Sequence, residues 1–315
     1  MNHILVTGAN GFIGRNLCKE LLHRGWKVKG LIRRNSKDTL PEGVEPVEID
    51  SIDQVSNWDE ILSETDVVIH LAARSHIIKE RARDPLYEYR KINVLGTECL
   101  ASAAVRAGAR RLIFLSSIGV NGESSRGGFF SEEDRPNPDN AYSVSKWEAE
   151  EVLHRAAQNS ELETVVLRPP LVYGMDSPGN FDRLMQLIRT GLPLPFANLE
   201  NRRSFIYVGN LIDVIIKCVE HPGAANQTFL VSDGQDVTVT ELINMLASAT
   251  GKKARLFYFP SGFLKVACRL IGKSRELDKL TQTLVINSSK IRNRLGWKAP
   301  FSIEQGIRET VRSAS

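Results

Sequence analysis

The chain has 315 residues, 25% of them charged, with a formal net charge of +4. That length buries one large core or two smaller ones, and so mild a positive balance calls for no nucleic-acid partner. Cys18, Cys99, Cys218 and Cys268 lie far apart among apolar neighbours, which predicts free thiols in a reducing compartment and no metal site.

Ile4 to Val6 reads as a buried strand starting too early to leave room for a signal peptide. No apolar run reaches the roughly 20 residues that span a bilayer. A cytoplasmic protein without membrane insertion is expected. The segment Thr7-Gly8-Ala9-Asn10-Gly11-Phe12-Ile13-Gly14 then leads into a helix from Gly14 to Arg24. Gly8 permits a tight turn, Gly11 lets backbone N–H groups approach a pyrophosphate, and Gly14 allows close helix packing. The phosphates would sit at the helix N-terminus, among Asn10, Phe12 and Ile13.

Lys27 to Ile32 is the next strand. Its end would carry an acid if ribose hydroxyls were bound there, but Arg33-Arg34 stands instead. A guanidinium suits a 2′-phosphate, so Arg33 favours NADP(H), with NAD(H) the other option. Asp50, after a further apolar stretch, is a candidate for the adenine amino group. Val67 to Leu71 is a strand ending at Ala72-Ala73, Asn93 to Ala107 a helix ended by Gly108, and Arg111 to Leu115 a strand followed by Ser116-Ser117. Tyr142 to Ala157 is a helix and Thr164 to Leu167 a strand. This alternation predicts an α/β fold, a Rossmann-type doubly wound parallel sheet.

After Arg168-Pro169-Pro170 the texture changes. Gly174 to Arg203 is rich in Pro, Gly and Asn, with one helix around Phe181 to Arg189. Phe205 to Val208 and Phe229 to Val231 are predicted as strands returning to the sheet. Helices follow at Thr240 to Ala249, Phe263 to Ile271, Ser288 to Leu295 and Ile303 to Ser313. The expected division is a dinucleotide-binding domain, 1–170 plus about 204–232, and a smaller, mostly helical domain, about 171–203 and 233–315. The apolar helix Phe263 to Ile271 is assigned to packing in the smaller domain rather than to a membrane surface.

Tyr142 and Lys146 are four apart on one helix and so share a face. A free tyrosine has a pKa of about 10, and an ammonium beside it stabilises the phenolate. Lys146 is therefore expected to lower the Tyr142 pKa, and it can also hydrogen-bond a nicotinamide ribose. Ser117 sits at the C-terminal end of a parallel strand, where its hydroxyl can hold a reacting oxygen near Tyr142. Joined to the glycine turn, these groups describe a hydride-transfer enzyme.

Several motifs resemble the extended short-chain dehydrogenase/reductases over nearly the whole chain. They are the glycine turn, Asp66 to Ala73, Asn93-Val94-Leu95-Gly96-Thr97, Ser116-Ser117, Tyr142-Ser143-Val144-Ser145-Lys146 and Arg168-Pro169. The resemblance implies Ser117, Tyr142 and Lys146 as the catalytic trio and Asn93 as a support of the site. It also implies cofactor contacts at Leu71, Ala72, Ala73, Asn93, Tyr142, Lys146 and Pro169. Arg203-Ser204-Phe205-Ile206-Tyr207-Val208 is similar to a segment of nucleotide-sugar epimerases and dehydratases whose arginine binds the diphosphate, a role this implies for Arg203. Asn180 matches the asparagine at that diphosphate, and Arg275 is a second candidate ligand. Arg168 to Gly174, Gly191 to Pro195 and Val231 to Gly234 resemble a bacterial subgroup from surface-polysaccharide (O-antigen) clusters. Its members are often called UDP-glucose 4-epimerases. They include 4-keto reductases that form UDP-N-acetyl-quinovosamine from UDP-2-acetamido-2,6-dideoxy-4-hexulose. The resemblance further implies a homodimer.

Three reactions suit such a chain. A 4,6-dehydratase needs an Asp-Glu pair after the hydroxyl residue, but Ile118-Gly119 follows Ser117. A 4-epimerase needs tightly held NAD, whereas a 4-keto reductase consumes NAD(P)H. Arg33 tips the expectation to the reductase, with the epimerase as alternative. Relatives that only sense dinucleotides typically lack the Tyr or the Lys, and this chain keeps both.

Overall fold

Strands and helices alternate through the first half as the apolar periodicity predicts. The computed structural model describes residues 3–312 apart from 35, 37–38, 76–81, 179, 198 and 260–280. In chain order β1 (His3–Thr7), α1 (Phe12–His23), β2 (Lys27–Arg33), β3 (Glu45–Ile49) and α2 (Trp58–Ile61) come first. They are followed by β4 (Val67–His70), α3 (Pro85–Arg90), α4 (Gly96–Arg106), β5 (Arg111–Leu115), α5 (Ala141–Ala157) and β6 (Glu163–Arg168). Next come β7 (Leu171–Tyr173), α6 (Asn180–Thr190), β8 (Arg202–Arg203), β9 (Phe205–Tyr207) and α7 (Val208–Glu220). The described chain ends with β10 (Gln227–Leu230), β11 (Val237–Thr238), α8 (Val239–Ala249), α9 (Ser289–Leu295) and α10 (Ile303–Arg312).

Seven strands form one parallel sheet in the order β10-β6-β5-β4-β1-β2-β3. This is the α/β doubly wound arrangement that the alternation predicts. The order reverses between β1 and β4, so their carboxyl ends flank the crevice where open α/β sheets take ligands. Successive strand residues point to opposite faces. Ile4, Val6, Val67 and Ile69 pack with Leu17 and Leu21 of α1 and Leu211 of α7. Leu5, Val68, Leu112 and Phe114 pack instead with Leu100 of α4 and Leu153 of α5. Both faces are covered, which is why these strands read as continuous apolar runs. A third core, around Tyr173, Phe181, Phe205, Leu246 and Ile307, collects β7, α6, β9, α8 and α10.

Two expectations are corrected. Phe205 to Val208 does not return to the main sheet. β9 pairs in parallel with β7, Leu171 opposite Phe205. Pro169 and Pro170 lack the N–H groups needed to prolong β6, and the Tyr173 and Phe205 side chains are buried in the third core. β10 does join the sheet, beside β6. The second correction is that Asn93 to Ala107 is not one regular helix. α3 passes through a π-helical turn, Lys91–Leu95, before α4 begins at Gly96.

Arg111, the first residue of β5, is a structural residue. It is buried, pairs with Glu163 and donates to the carbonyls of Val219 and His221 at the end of α7. Cys18, Cys99 and Cys218 are free, and burial pushes the Cys18 thiol up to about 12. Cys268, Arg275 and the helix expected at Phe263 to Ile271 lie outside the described residues. Among the described residues no helix is long and apolar enough to cross a membrane, and no cluster of metal-ligating side chains occurs.

Candidate active site

The glycine turn occupies the crevice between β1 and β4. Gly8 has φ +69°, and a Cβ there would lie 2.9 Å from the Ala72 backbone nitrogen. A Cβ on Gly14 would lie 2.2 Å from the Gly8 carbonyl oxygen. The helix start is thus pressed onto its own turn, and only glycine permits it. Gly11 is the N-cap of α1 and provides no side-chain cap. The first N–H groups of α1, at Phe12 and Ile13, therefore lack intrahelical acceptors and sit at the positive end of the helix dipole. This cradle fits a dinucleotide pyrophosphate. Asn10 donates to the Ser36 hydroxyl at 2.6 Å, which ties the turn to the loop after β2. Arg33, at the end of β2, is exposed. Asp50, just past β3, is also exposed, and its carboxylate stands 3.5 Å from Arg34.

A buried relay fixes the loop after β4. The Thr97 hydroxyl donates to the Asn93 carbonyl at 2.6 Å, so its oxygen accepts from His70 Nε2 at 2.9 Å. His70 Nδ1 is then the acceptor for the Thr7 hydroxyl at 2.7 Å, and the Thr7 oxygen accepts the Ala72 N–H at 3.1 Å. Burial, with the Lys146 charge nearby, pushes the His70 pKa down to about 3, so the imidazole is neutral. Asn93 is buried and its amide is committed to protein. It accepts from the Arg74 N–H at 2.8 Å and donates to the Arg74 carbonyl and to Ser145 Oγ. Ser145 Oγ in turn donates to the Tyr142 carbonyl. Asn93 thus straps the Leu71–Ala73 loop to the helix carrying Tyr142. The composition and motifs had assigned His70 no role. The signal was present as one polar residue closing the otherwise apolar run Val67-Val68-Ile69.

Ser117, Tyr142 and Lys146 meet at the mouths of β4, β5 and β6. Asn140 caps α5 by accepting the Ser143 N–H at 2.9 Å, which sets Tyr142 in the first turn. Ser117 caps a short turn after β5 through Gly119 N–H at 3.1 Å, and the adjacent Ile118 N–H donates to the Pro169 carbonyl. The Ser117 hydroxyl lies on the Tyr142 side of this turn, near enough to favour the phenolate. Lys146 is buried, with Nζ 3.8 Å from the centre of the Phe114 ring. The electrostatics differ from the sequence expectation. Burial, with Tyr89 beside it, pushes the Tyr142 phenol up to about 12, while the Ser117 hydroxyl pulls it back. Burial draws Lys146 down to about 7 against the support of Glu150. Desolvation sets the direction for both groups, and the lowering of the phenol expected from the lysine is not seen. The phenol is neutral and suited to donate a proton.

On the opposite side of the site, Arg203 lies in β8, paired with β11. Its Nη1 donates to the Gln282 carbonyl at 2.9 Å. Burial lowers its pKa while Glu123 counteracts. Glu123 accepts from Asn140, the cap of α5, at 2.8 Å. A cavity of about 640 Å³ opens here, lined among others by Asn121, Glu123, Phe130 and Gln282. Arg202 is exposed and bonds the Asp236 carbonyl. Asn180 is the first residue of α6, and Arg275 falls outside the described residues.

A sheet and side chains of this kind belong to enzymes that move hydride between a dinucleotide and a carbinol or carbonyl carbon. The sequence pattern of the NAD dependent epimerase/dehydratase family matches residues 4–232, and the chain belongs to that family. A UDP-glucose 4-epimerase of Vibrio cholerae is 40% identical over 98% of this chain and 94% of its own. MoeE5, solved in complex with UDP-glucose and NAD, is 26% identical, with a TM-score of 0.78 and 100% of both chains covered. The UDP-glucose 4-epimerase of Thermotoga maritima, solved with UDP-glucose, shares the fold. Its TM-score is 0.80 at 24% identity, covering 98% of this chain and 97% of that one.

Proposed function

We propose that the chain interconverts the C4 epimers of a UDP-hexose, of glucose or N-acetylglucosamine type, with tightly held NAD, in surface-polysaccharide biosynthesis. The observation that carries this is the 40% end-to-end identity with the Vibrio cholerae relative of that name. Evidence of this kind favours the epimerase over the reductase that Arg33 suggested. A bound nicotinamide would supply a hydride acceptor and donor for the sugar's C4 and, when oxidised, a positive charge that favours the Tyr142 phenolate. As the phenolate that this charge would favour, Tyr142 Oη would take the C4 hydroxyl proton while C4 is oxidised. The phenol so formed would return that proton to the C4 oxygen when C4 is reduced again. Ser117 hydrogen-bonds the same oxygen in both steps. Lys146 supplies charge near the phenol and orients the nicotinamide ribose. Arg203, with Asn180 and Arg275, anchors the diphosphate, and that anchoring orients the sugar. The glycine turn, Leu71 to Ala73 and Pro169 line the dinucleotide.

A second reading is favoured by one observation: no carboxylate ends β2, and Arg33 stands exposed there with Ser36 close to the turn. Arg33 would then meet the 2′-phosphate of NADPH, and Tyr142 would protonate the C4 oxygen of a UDP-4-keto-6-deoxy-hexosamine. One experiment separates the two. Identify the dinucleotide retained by the purified protein, then offer UDP-glucose or UDP-N-acetylglucosamine alone, and NADPH with UDP-2-acetamido-2,6-dideoxy-4-hexulose. Retained NAD and appearance of the C4 epimer by NMR are expected. Stoichiometric NADPH loss without epimerisation would establish the reductase. We further expect a homodimer through α4 and α5, near the exposed Tyr87 and Leu95. A single-chain mass by light scattering would contradict it.

A further inference from the structure

One ionic cluster lies just behind the proton-transfer groups. Glu150 is one helical turn beyond Lys146 on α5, and its side chain is 1% exposed. Arg168, at the end of β6, grips both carboxylate oxygens through Nε and Nη2, with Nε at 3.0 Å. Its Nη1 reaches Asn121 Oδ1 at 3.0 Å, and Asn121 donates to the Ser131 carbonyl. Ser116, next to Ser117, donates its hydroxyl to Glu150 Oε1. One carboxylate therefore joins α5, β6, the end of β5 and the loop that follows Ser117. A buried pair left without one partner is costly, and this one is satisfied on every side.

We infer that Glu150 is a positioning residue that locks the strand ends bearing Ser117 and Pro169 against the Tyr142 helix and favours the charged form of Lys146. The groups around Lys146 are consistent with that. Tyr142 and Glu150 share its helix, the neutral His70 lies on β4, and the Phe114 ring of β5 packs against Nζ. Glu150 is the group that supports the ammonium against burial. Arg168 balances the carboxylate, so the lysine receives only part of its pull and changes charge near neutral pH. The sequence signal was a second (i, i+4) step on α5, from Lys146 to Glu150, beyond the one from Tyr142 to Lys146.

The inference rests on the proposed C4 chemistry only for its effect on rate. Its test reads the lysine directly. In the full chain carrying isotope-labelled lysine, the Lys146 signal is assigned by its loss in Lys146→Arg and titrated by NMR without sugar. Glu150→Gln is expected to lower the midpoint by about one pH unit or more. The matching limb of the kcat–pH profile should move the same way, with little change in KM. An unchanged midpoint overturns the inference, as does a wild-type midpoint at the ordinary lysine value. Should Glu150→Gln not fold, Glu150→Asp carries the test, with a smaller fall expected and the same overturning result. Because the midpoint needs no turnover, failure to epimerise any UDP-hexose would sink the proposed function and leave this result standing.

Discussion

The glycine-turn side and the Arg203 side of the cleft are built on different principles. On the first, backbone does the holding. Gly8 and Gly14 let main chain approach main chain, and the His70 relay runs between a backbone N–H and a backbone carbonyl. On the second, side chains on short elements do it. Arg203 lies on a two-residue strand and donates to the Gln282 carbonyl, while Glu123 supports its charge. A backbone-built site is rigid and tolerates no added atom, whereas a side-chain-built site can be retuned one residue at a time.

That contrast can be tested at its strongest point first. Gly14→Val should destabilise the fold by about 3 kcal/mol or more, since the added carbons meet backbone that cannot yield. A denaturant midpoint matching the wild type would show that the turn relaxes. Next, Tyr142→Phe should lower turnover by about a hundredfold or more while dinucleotide binding persists. Near-normal turnover would remove the phenol from proton transfer. Arg203→Ala should weaken UDP-sugar binding by about tenfold to a hundredfold with little loss of stability. Unchanged affinity by calorimetry would discard the diphosphate assignment.

Smaller effects follow. His70 binds its proton at about 3 when folded against an ordinary 6.5. Between these values the unfolded chain holds more protons, so stability falls as pH drops below the ordinary value, by at most about 1.4 kcal/mol per pH unit. In His70→Asn the gap to wild type should narrow on acidification. A gap independent of pH would mean that His70 titrates normally. Arg33→Ala should weaken NADPH binding about tenfold and leave NADH unchanged. Equal affinities before and after substitution would place Arg33 away from any 2′-phosphate.

Much of the backbone-built side was legible in the sequence. Glycines at three-residue spacing between a strand and a helix have few other uses, and apolar runs flanked by helices announce a parallel sheet. Tyr142 and Lys146 were legible because helical spacing puts them on one face. Their electrostatics were not. Spacing shows that a lysine is near, but it does not show how much water both groups lose, and desolvation sets the direction for each. The strand pairing of Phe205 was misjudged for a related reason. Three apolar residues read alike whether they join the main sheet or cover a separate aromatic core. Glu150 and Arg168 are far apart in sequence, and nothing local in either announces the other.

The π-helical turn at Lys91–Leu95 has a geometric consequence. A helix advances by a fixed angle per residue, so one extra residue in a turn acts as a phase slip. The stripe that α3 presents to α5, where Tyr89 meets the Tyr142 ring edge-on at 6.1 Å, is offset from the stripe α4 would present had the rod run on unbroken. The slip lets one continuous rod address the same neighbour twice, with aromatic rings first and with Leu100 and Ala104 afterwards. Asn93 sits inside the slip, where its amide can turn away from the packing stripe and reach the strand loop.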